Sequence, residues 1–477
     1  MMRTMAKGPM GARAFASGLL MLALATAVGM LLVAAGPTDA APATFTVNST
    51  DDDDDGACQS LNPSVPAEDC TLREAINAAN SNTNPTETDA IAFAIPGPGV
   101  KTILVGSTPT GPTAGQSLPA ITEAVTINGY SQSGAEENDI PLAKDGTNAN
   151  LLIELNGASV TSPTRNGLDI YASSVVVEGL VINRFGGTGI FISLNGSDAV
   201  IEGNFIGTSA TGTAALGNIT GVGLFGGGSN IIGGQGPAAR NLISGNFTQG
   251  LLISSTEGNT VQGNLIGTDA GATTGLGNTL EGVQISSSNN TVGAGTGVDD
   301  ANANLIAFNG DDGVDISAST GTGNRVLSNS IHTNGNLGID LGSDGVTRND
   351  GRAKDRDTGA NNLQNFPVLS SATSSGNQTT IKGKLKSTPR KSFTIQFFSS
   401  PQKNPSGFGE GKEFLDNKTV TTSRKGSRSF SVTFTLSRDL EGEFVTATAT
   451  RLVPDPNDPE TPLLTDTSEF SAAKEVT

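Results

Sequence analysis

Five carboxylates in one stretch of the sequence could do chemistry: Asp311, Asp312, Asp315, Asp340 and Asp344. Gly313-Val314-Asp315-Ile316 and Gly338-Ile339-Asp340-Leu341 share the pattern Gly, aliphatic, polar, aliphatic. In a strand the two aliphatics face one way and the Asp the other. If such units stack as neighbouring strands, Asp315 and Asp340 lie side by side about 4.8 Å apart. Gln284 then sits one coil earlier, and Asp311, Asp312 and Asp344 fall in flanking turns. Clustered carboxylate oxygens suit calcium, so these five are a candidate metal set and Ca2+ the one candidate cofactor. Asp315 and Asp340 are also the candidate catalytic pair, because glycoside cleavage uses two carboxyl groups. The competing expectation is plain solvated surface.

Other chemistry is poorly represented. His332 is the only histidine, too few for a His-rich metal site or a supported Ser-His-Asp triad, and is expected to be a solvent-facing repeat residue. No nucleophile elbow, phosphate loop or dinucleotide fingerprint occurs. Arg325 and Arg348 could serve as a lyase base, but no spacing singles them out. Asp311 to Ile316 faintly resembles the paired-Asp segment of polygalacturonases, without that family's other motifs.

The elements that must position these residues are repeats. One unit, Gly-aliphatic-x-aliphatic, recurs at Gly167, Gly189, Gly221, Gly250, Gly282, Gly313 and Gly338. A second, Asn-Leu-Ile or similar, begins at Asn204, Asn241, Asn264, Asn304 and Asn329. A third begins at Asn259, Asn290 and Asn324. Three short period-two strands per cycle, with Gly and Asn at the breaks, predict a three-sided right-handed parallel β-helix. The cycle takes roughly 22 to 32 residues, within the range of repeat architectures. The stretch from Gly207 to Asn218 matches that from Gly267 to Asn278 two cycles on. Leucine-rich repeats and propellers lack their consensus here. Amides such as Asn204, Asn264 and Asn329 should satisfy backbone groups at the turns.

Composition agrees. With 62 glycines, no Trp and 4% aromatic residues, the core must be thin and built from small and β-branched side chains. A net charge of -18 disfavours nucleic acid and anionic membranes as partners. Arg3, Lys7 and Arg13 precede an apolar run from Leu19 to Ala35, then small residues that allow cleavage after Ala40 or Ala43. Residues 1–40 therefore read as a secretory signal peptide, with an uncleaved anchor as the alternative. No later segment is long and apolar enough to span a membrane. Export puts Cys58 and Cys70, the only cysteines, in an oxidising compartment, where they read as one disulfide.

Residues 41–130 are expected to cap the β-helix. Asp51 to Asp55 is read as a solvated loop, with a calcium-binding turn as the alternative. Leu72, Ile76 and Ala79 share a helical face, and Thr71 with Glu74 forms a capping box. Cys70-Thr71-Leu72-Arg73-Glu74-Ala75 resembles the signature of the CSLREA-domain proteins, with Thr71 in place of Ser. The resemblance implies an exported bacterial protein whose β-helix is capped by this segment, and it implies no activity.

The β-helix is placed at 131–365. Residues 366–477 carry short alternating strands with more Lys and Arg and read as a β-sandwich, expected to be an interaction or attachment module. The reading favoured by the whole chain is a secreted or surface-associated, monomeric β-helix protein that binds polysaccharide or cell-surface glycans, or acts as scaffold. The alternative is a polysaccharide lyase or glycoside hydrolase using the acidic face.

Overall fold

The structure, a computed structural model, describes residues 42–55, 58, 69–82, 88–108, 111–141, 143–293, 302–317, 321–350, 357–454 and 463–477. The segment 1–40, read from the sequence as a signal peptide, lies outside them. No helix among the described residues is long and apolar enough to cross a membrane.

Three parallel sheets of nine, eight and seven strands form a right-handed parallel β-helix. The chain visits them in turn. Val176–Glu178 lies in the first, Leu180–Asn183 in the second and Thr188–Ile192 in the third, and Val200–Glu202 returns to the first. Each recurring sequence unit builds one sheet: Asn-Thr-Val the first, Asn-Leu-Ile the second, Gly-aliphatic-x-aliphatic the third. Alternation sends one set of aliphatics inward, where stacked Ile, Val and Leu such as Ile201, Ile206 and Val222 are fully buried. Each such side chain contributes about 1.5–3 kcal/mol by leaving water.

The coils begin earlier than the sequence suggested. Thr44–Val47, Asp89–Phe93 and Val125–Asn128 already belong to the nine-stranded sheet, and Lys101–Leu104 to the eight-stranded one. Long, irregular connections hide the period there. The helix Leu72–Ser81 has the expected capping box at Thr71 and Glu74. Cys58 and Cys70 form a disulfide. The acidic run is not simply a solvated loop: Asp52 is buried and pairs with Arg73 at 2.7 Å.

At the corners, identical amides stack from coil to coil. An amide both donates and accepts, so each Asn can bond the one above and the one below while satisfying turn backbone. Asn204 donates to Asn241, Asn241 to Asn264, Asn264 to Asn304 and Asn304 to Asn329, at 2.8 to 3.2 Å. A second ladder runs through Asn218, Asn246, Asn278, Asn309 and Asn334. A third runs through Asn230, Asn259, Asn290 and Asn324. Successive steps of the first ladder span 37, 23, 40 and 25 residues, so its longer coils exceed the expected cycle. Residues 207–217 and 267–277 form matching loops over the second sheet, with bridges Thr208–Ala215 and Thr268–Gly275.

The C-terminal part is a sandwich of two antiparallel sheets. Val368–Ser375, Gln378–Lys386 and Ser427–Thr435 make one. Ser392–Ser400, Glu413–Thr421, Phe444–Val453 and Leu463–Thr467 build the other, with Lys474–Glu475 at its edge. Glu469 and Phe470 lie beyond Leu463–Thr467. The sandwich is seated on the last coil: Ile331 and Gly411 exchange backbone hydrogen bonds at 2.8 and 2.9 Å. Phe470 and Phe398 join the β-helix core. It therefore closes the open end of the solenoid.

Candidate functional site

The seven-stranded sheet carries the site. Its register aligns one outward column through Asp169, Phe191, Gly223, Leu252, Gln284, Asp315 and Asp340. Asp315 and Asp340 are thus neighbours on adjacent coils, with Gln284 one coil earlier. Six steps of about 4.8 Å make the column roughly 29 Å long.

One end is aromatic. Phe191 stacks on Phe225 at 5.1 Å and 24°, and Tyr171 lies 6.5 Å from Phe191. Gly223 permits this: a Cβ there would come within 2.7 Å of the Phe225 ring. Apolar side chains border the same region. Tyr171 is 44% exposed and Leu194 74%, on the edge where the strands leave. Ile219 is 41% and Phe247 61% exposed, where the strands enter. The outer face of the second sheet is different, since loops cover Leu242, Leu265 and Leu305 there.

The middle is a relay of amides. Gln249 donates to Gln284 and Gln284 to Asp315, both at 3.1 Å. Ser343 donates to the Asp315 carboxylate at 2.9 Å.

The far end is an acidic cavity of about 410 Å3, lined by Glu281, Asp311, Asp312 and Asp340, with Ser343 and Asn404 at its rim. Asp315 and Asp340 are outward, as expected, but they are not solvated surface: they are 1% and 3% exposed. The turn after Leu341 folds back over them. Its Ser343 hydroxyl reaches Asp315, and its Gly345 N–H donates to Asp340 Oδ2 at 2.9 Å. Asp340 Oδ1 and Glu281 Oε2 are buried with no hydrogen-bond partner. Burial pushes the Asp312 carboxyl up to about 7; Asp340, Asp311 and Asp315 add to the rise, and the Leu337 N–H opposes it. Glu281, Asp315 and Asp340 are raised as well, burial being the largest cause in each.

The expected five-residue calcium set is not assembled. Asp344 is exposed outside the cavity lining, and Asp315 is held by Ser343 and Gln284. Among the described residues no three His, Cys, Asp or Glu side chains converge as metal ligands. The candidate catalytic pair is also rearranged, for it is Asp312 rather than Asp315 that faces the cavity with Asp340. Glu281 and Asn404 were missed. Glu281 was legible, because it precedes Gly282 as Asp312 precedes Gly313. Asn404, brought in from the sandwich, had no such signal.

His332 is half-buried rather than fully solvent-facing. It lines a second cavity of about 680 Å3 with Phe308, Lys412, Phe414 and Arg438. Burial, then the nearby Lys412 charge, lowers its imidazole to about 4, so it is neutral at physiological pH. Arg438 at that cavity pairs with Glu413 at 2.6 Å and with Glu443.

No family model and no curated protein matches the sequence. Among solved structures, tailspike protein 2 of Escherichia coli O157:H7 bacteriophage CAB120 is 10% identical with a TM-score of 0.22. That match covers 84% of this chain and 65% of the tailspike, so the chain spans about two thirds of its length. The A-module of the Azotobacter vinelandii mannuronan C-5 epimerase AlgE4 is 12% identical with a TM-score of 0.20, covering 56% of this chain and 90% of the module. Tailspike gp49 of Acinetobacter baumannii bacteriophage Fri1, a capsular polysaccharide depolymerase, is 9% identical with a TM-score of 0.14, covering 81% and 77%. Likeness this distant carries nothing about chemistry, which rests on the residues above.

Proposed function

We propose that this chain is an exported protein that binds an extended glycan along the outer face of its seven-stranded sheet. One observation carries the reading: a single register column joins an aromatic platform to a relay of amides and carboxylates. Aromatic faces cover the C–H faces of sugar rings, and amides and carboxylates take the hydroxyls. Neighbouring strands present these groups at the regular strand spacing, which suits an extended polymer lying across them. The Cys58–Cys70 disulfide supports an oxidising, extracellular setting.

The test is titration of the purified chain with oligosaccharides of several backbones, alongside the Tyr171→Ala and Phe225→Ala variants. Binding that both variants weaken supports the reading. Binding of no oligosaccharide, or binding that both variants leave unchanged, removes it.

Cleavage is a second reading, favoured by the Asp312 carboxyl raised to about 7 in the cavity it shares with Asp340. A carboxyl protonated near neutral pH can act as a general acid. Release of reducing ends that Asp312→Asn abolishes would establish it.

A further inference from the structure

We infer that the acidic cavity is a subsite for a protonated amino sugar, so that the ligand is a glycan bearing at least one free amine. The inference rests on the glycan reading above and names the chemistry of one of its units.

The argument starts from unmet hydrogen-bonding capacity. Asp340 Oδ1 and Glu281 Oε2 are buried acceptors without partners, and a buried polar atom left unpaired is costly. Both residues are more than nine-tenths buried, and both line the cavity. Asp311 lines it too, and Asp312 adds its charge once ionised, so negative charge gathers where solvation is poor. A complementary ligand therefore brings several N–H donors and a positive charge together.

A metal ion fits this description less well, because three carboxylates do not converge on one point. An ammonium is less demanding: it offers three donors on one atom and accepts acceptors spread around it. An N-acetylated sugar lacks the charge and leaves the carboxylates uncompensated. The cavity also continues the column. Asp340 is its last residue, and Asp315, one coil earlier, is tied to the Gln284 relay. A chain lying along the face thus delivers one unit to the acidic end while others rest on the aromatic end.

The test is calorimetric titration with two hexasaccharides of one backbone, one fully N-acetylated and one carrying a single free amine, at low and high salt. The single amine limits general attraction to a protein of net charge -18. The expected result is binding of the amine-bearing hexamer at least tenfold tighter. Glu281→Gln and Asp340→Asn should each abolish that preference, and the surface variants Asp139→Asn and Asp198→Asn should keep it. Using two cavity variants guards against a folding defect in either one. Equal affinity for the two hexamers overturns the amino-sugar subsite and leaves the glycan reading standing. A preference that survives in both cavity variants, or that the surface variants lose as readily, overturns it too, as general charge attraction. Binding of neither hexamer nor any other oligosaccharide removes both readings. Stoichiometric calcium binding that Asp340→Asn abolishes, without any amine preference, reassigns the cavity to a metal.

Discussion

Glu410 of the sandwich ends an asparagine ladder of the β-helix by accepting from Asn334, the ladder's last residue. One Glu410 oxygen takes the Asn334 backbone N–H at 2.9 Å and the side-chain amide at 3.1 Å; the other takes the Thr333 N–H at 2.8 Å. Each earlier Asn passes the same two donors to the Asn of the next coil. After the last coil no further Asn follows, and Glu410 supplies the acceptor. The sandwich is thus a cap with a specific chemical fit, as end coils of a solenoid require.

Glu410→Ala should loosen this end. It removes the acceptor of three N–H groups, of which the Asn334 backbone N–H is buried and left unpaired at about 1–3 kcal/mol, while the Asn334 amide keeps its bond to the Ile306 carbonyl. Hydrogen exchange should accelerate at Thr333, Asn334 and the Ile331–Gly411 bridge, while mid-solenoid amides such as Ile243 stay protected. Glu410→Gln, which keeps one acceptor oxygen, should recover part of the protection.

The same seam should weaken as pH rises. Burial pushes the Glu469 carboxyl up to about 8 from an ordinary 4.5, and Asp312 up to about 7 from 3.8. These native groups hold protons that the unfolded chain releases at lower pH. Unfolding therefore gains favour as pH rises from about 4 through 7 for Asp312 and to about 8 for Glu469. The slope is at most about 1.4 kcal/mol per pH unit for each group. Urea midpoints followed by circular dichroism should fall across this window. Glu469→Gln, which cannot ionise, should flatten the upper part of the curve.

Arg73 and Asp52 make the corresponding tie at the other end. Arg73 donates to both Asp52 oxygens, at 3.1 and 2.7 Å, and to the Ser117 carbonyl at 2.8 Å, fastening the helix Leu72–Ser81 over the first coils. Arg73→Ala leaves Asp52 buried without its counter-charge and should cost about 3–5 kcal/mol. Protease cutting near the N-terminal cap should become faster in that variant, with the C-terminal seam unchanged.

The repeats were readable because every coil poses the same packing problem and is answered with the same residue types. Gly189-Ile190-Phe191-Ile192 and Gly313-Val314-Asp315-Ile316 give the strand, the inward aliphatics and the outward residue from spacing alone. The first coils were not readable, since the connections around Asp89–Phe93 and Lys101–Leu104 break the period. Burial of Asp315 and Asp340 was invisible for another reason: it depends on Ser343 and Gly345 folding back and on a sandwich loop arriving. His332 misled for the same cause, because Phe414 and Lys412 reach it from strand Glu413–Thr421 and the residue before it. Local pattern encodes which way a side chain leaves the coil, but not what later covers it.

The aromatic end offers the cleanest test of the face because its rings can be changed without disturbing the core. Tyr171 is exposed and Phe225 half-buried on the outer side, while the inward neighbours Ile170 and Leu224 carry the packing. Tyr171→Ala and Phe225→Ala should each weaken glycan binding about tenfold, or about 1.4 kcal/mol, with unchanged melting. Gly223→Ala reaches the platform indirectly. Its new methyl falls within 2.7 Å of the Phe225 ring and must push that ring off Phe191. Affinity should drop although no side chain is removed, which separates platform geometry from lost apolar area. Leu252→Tyr adds a ring at the next position of the same column and should tighten binding. Affinities that ignore all four changes would place the ligand somewhere other than this face.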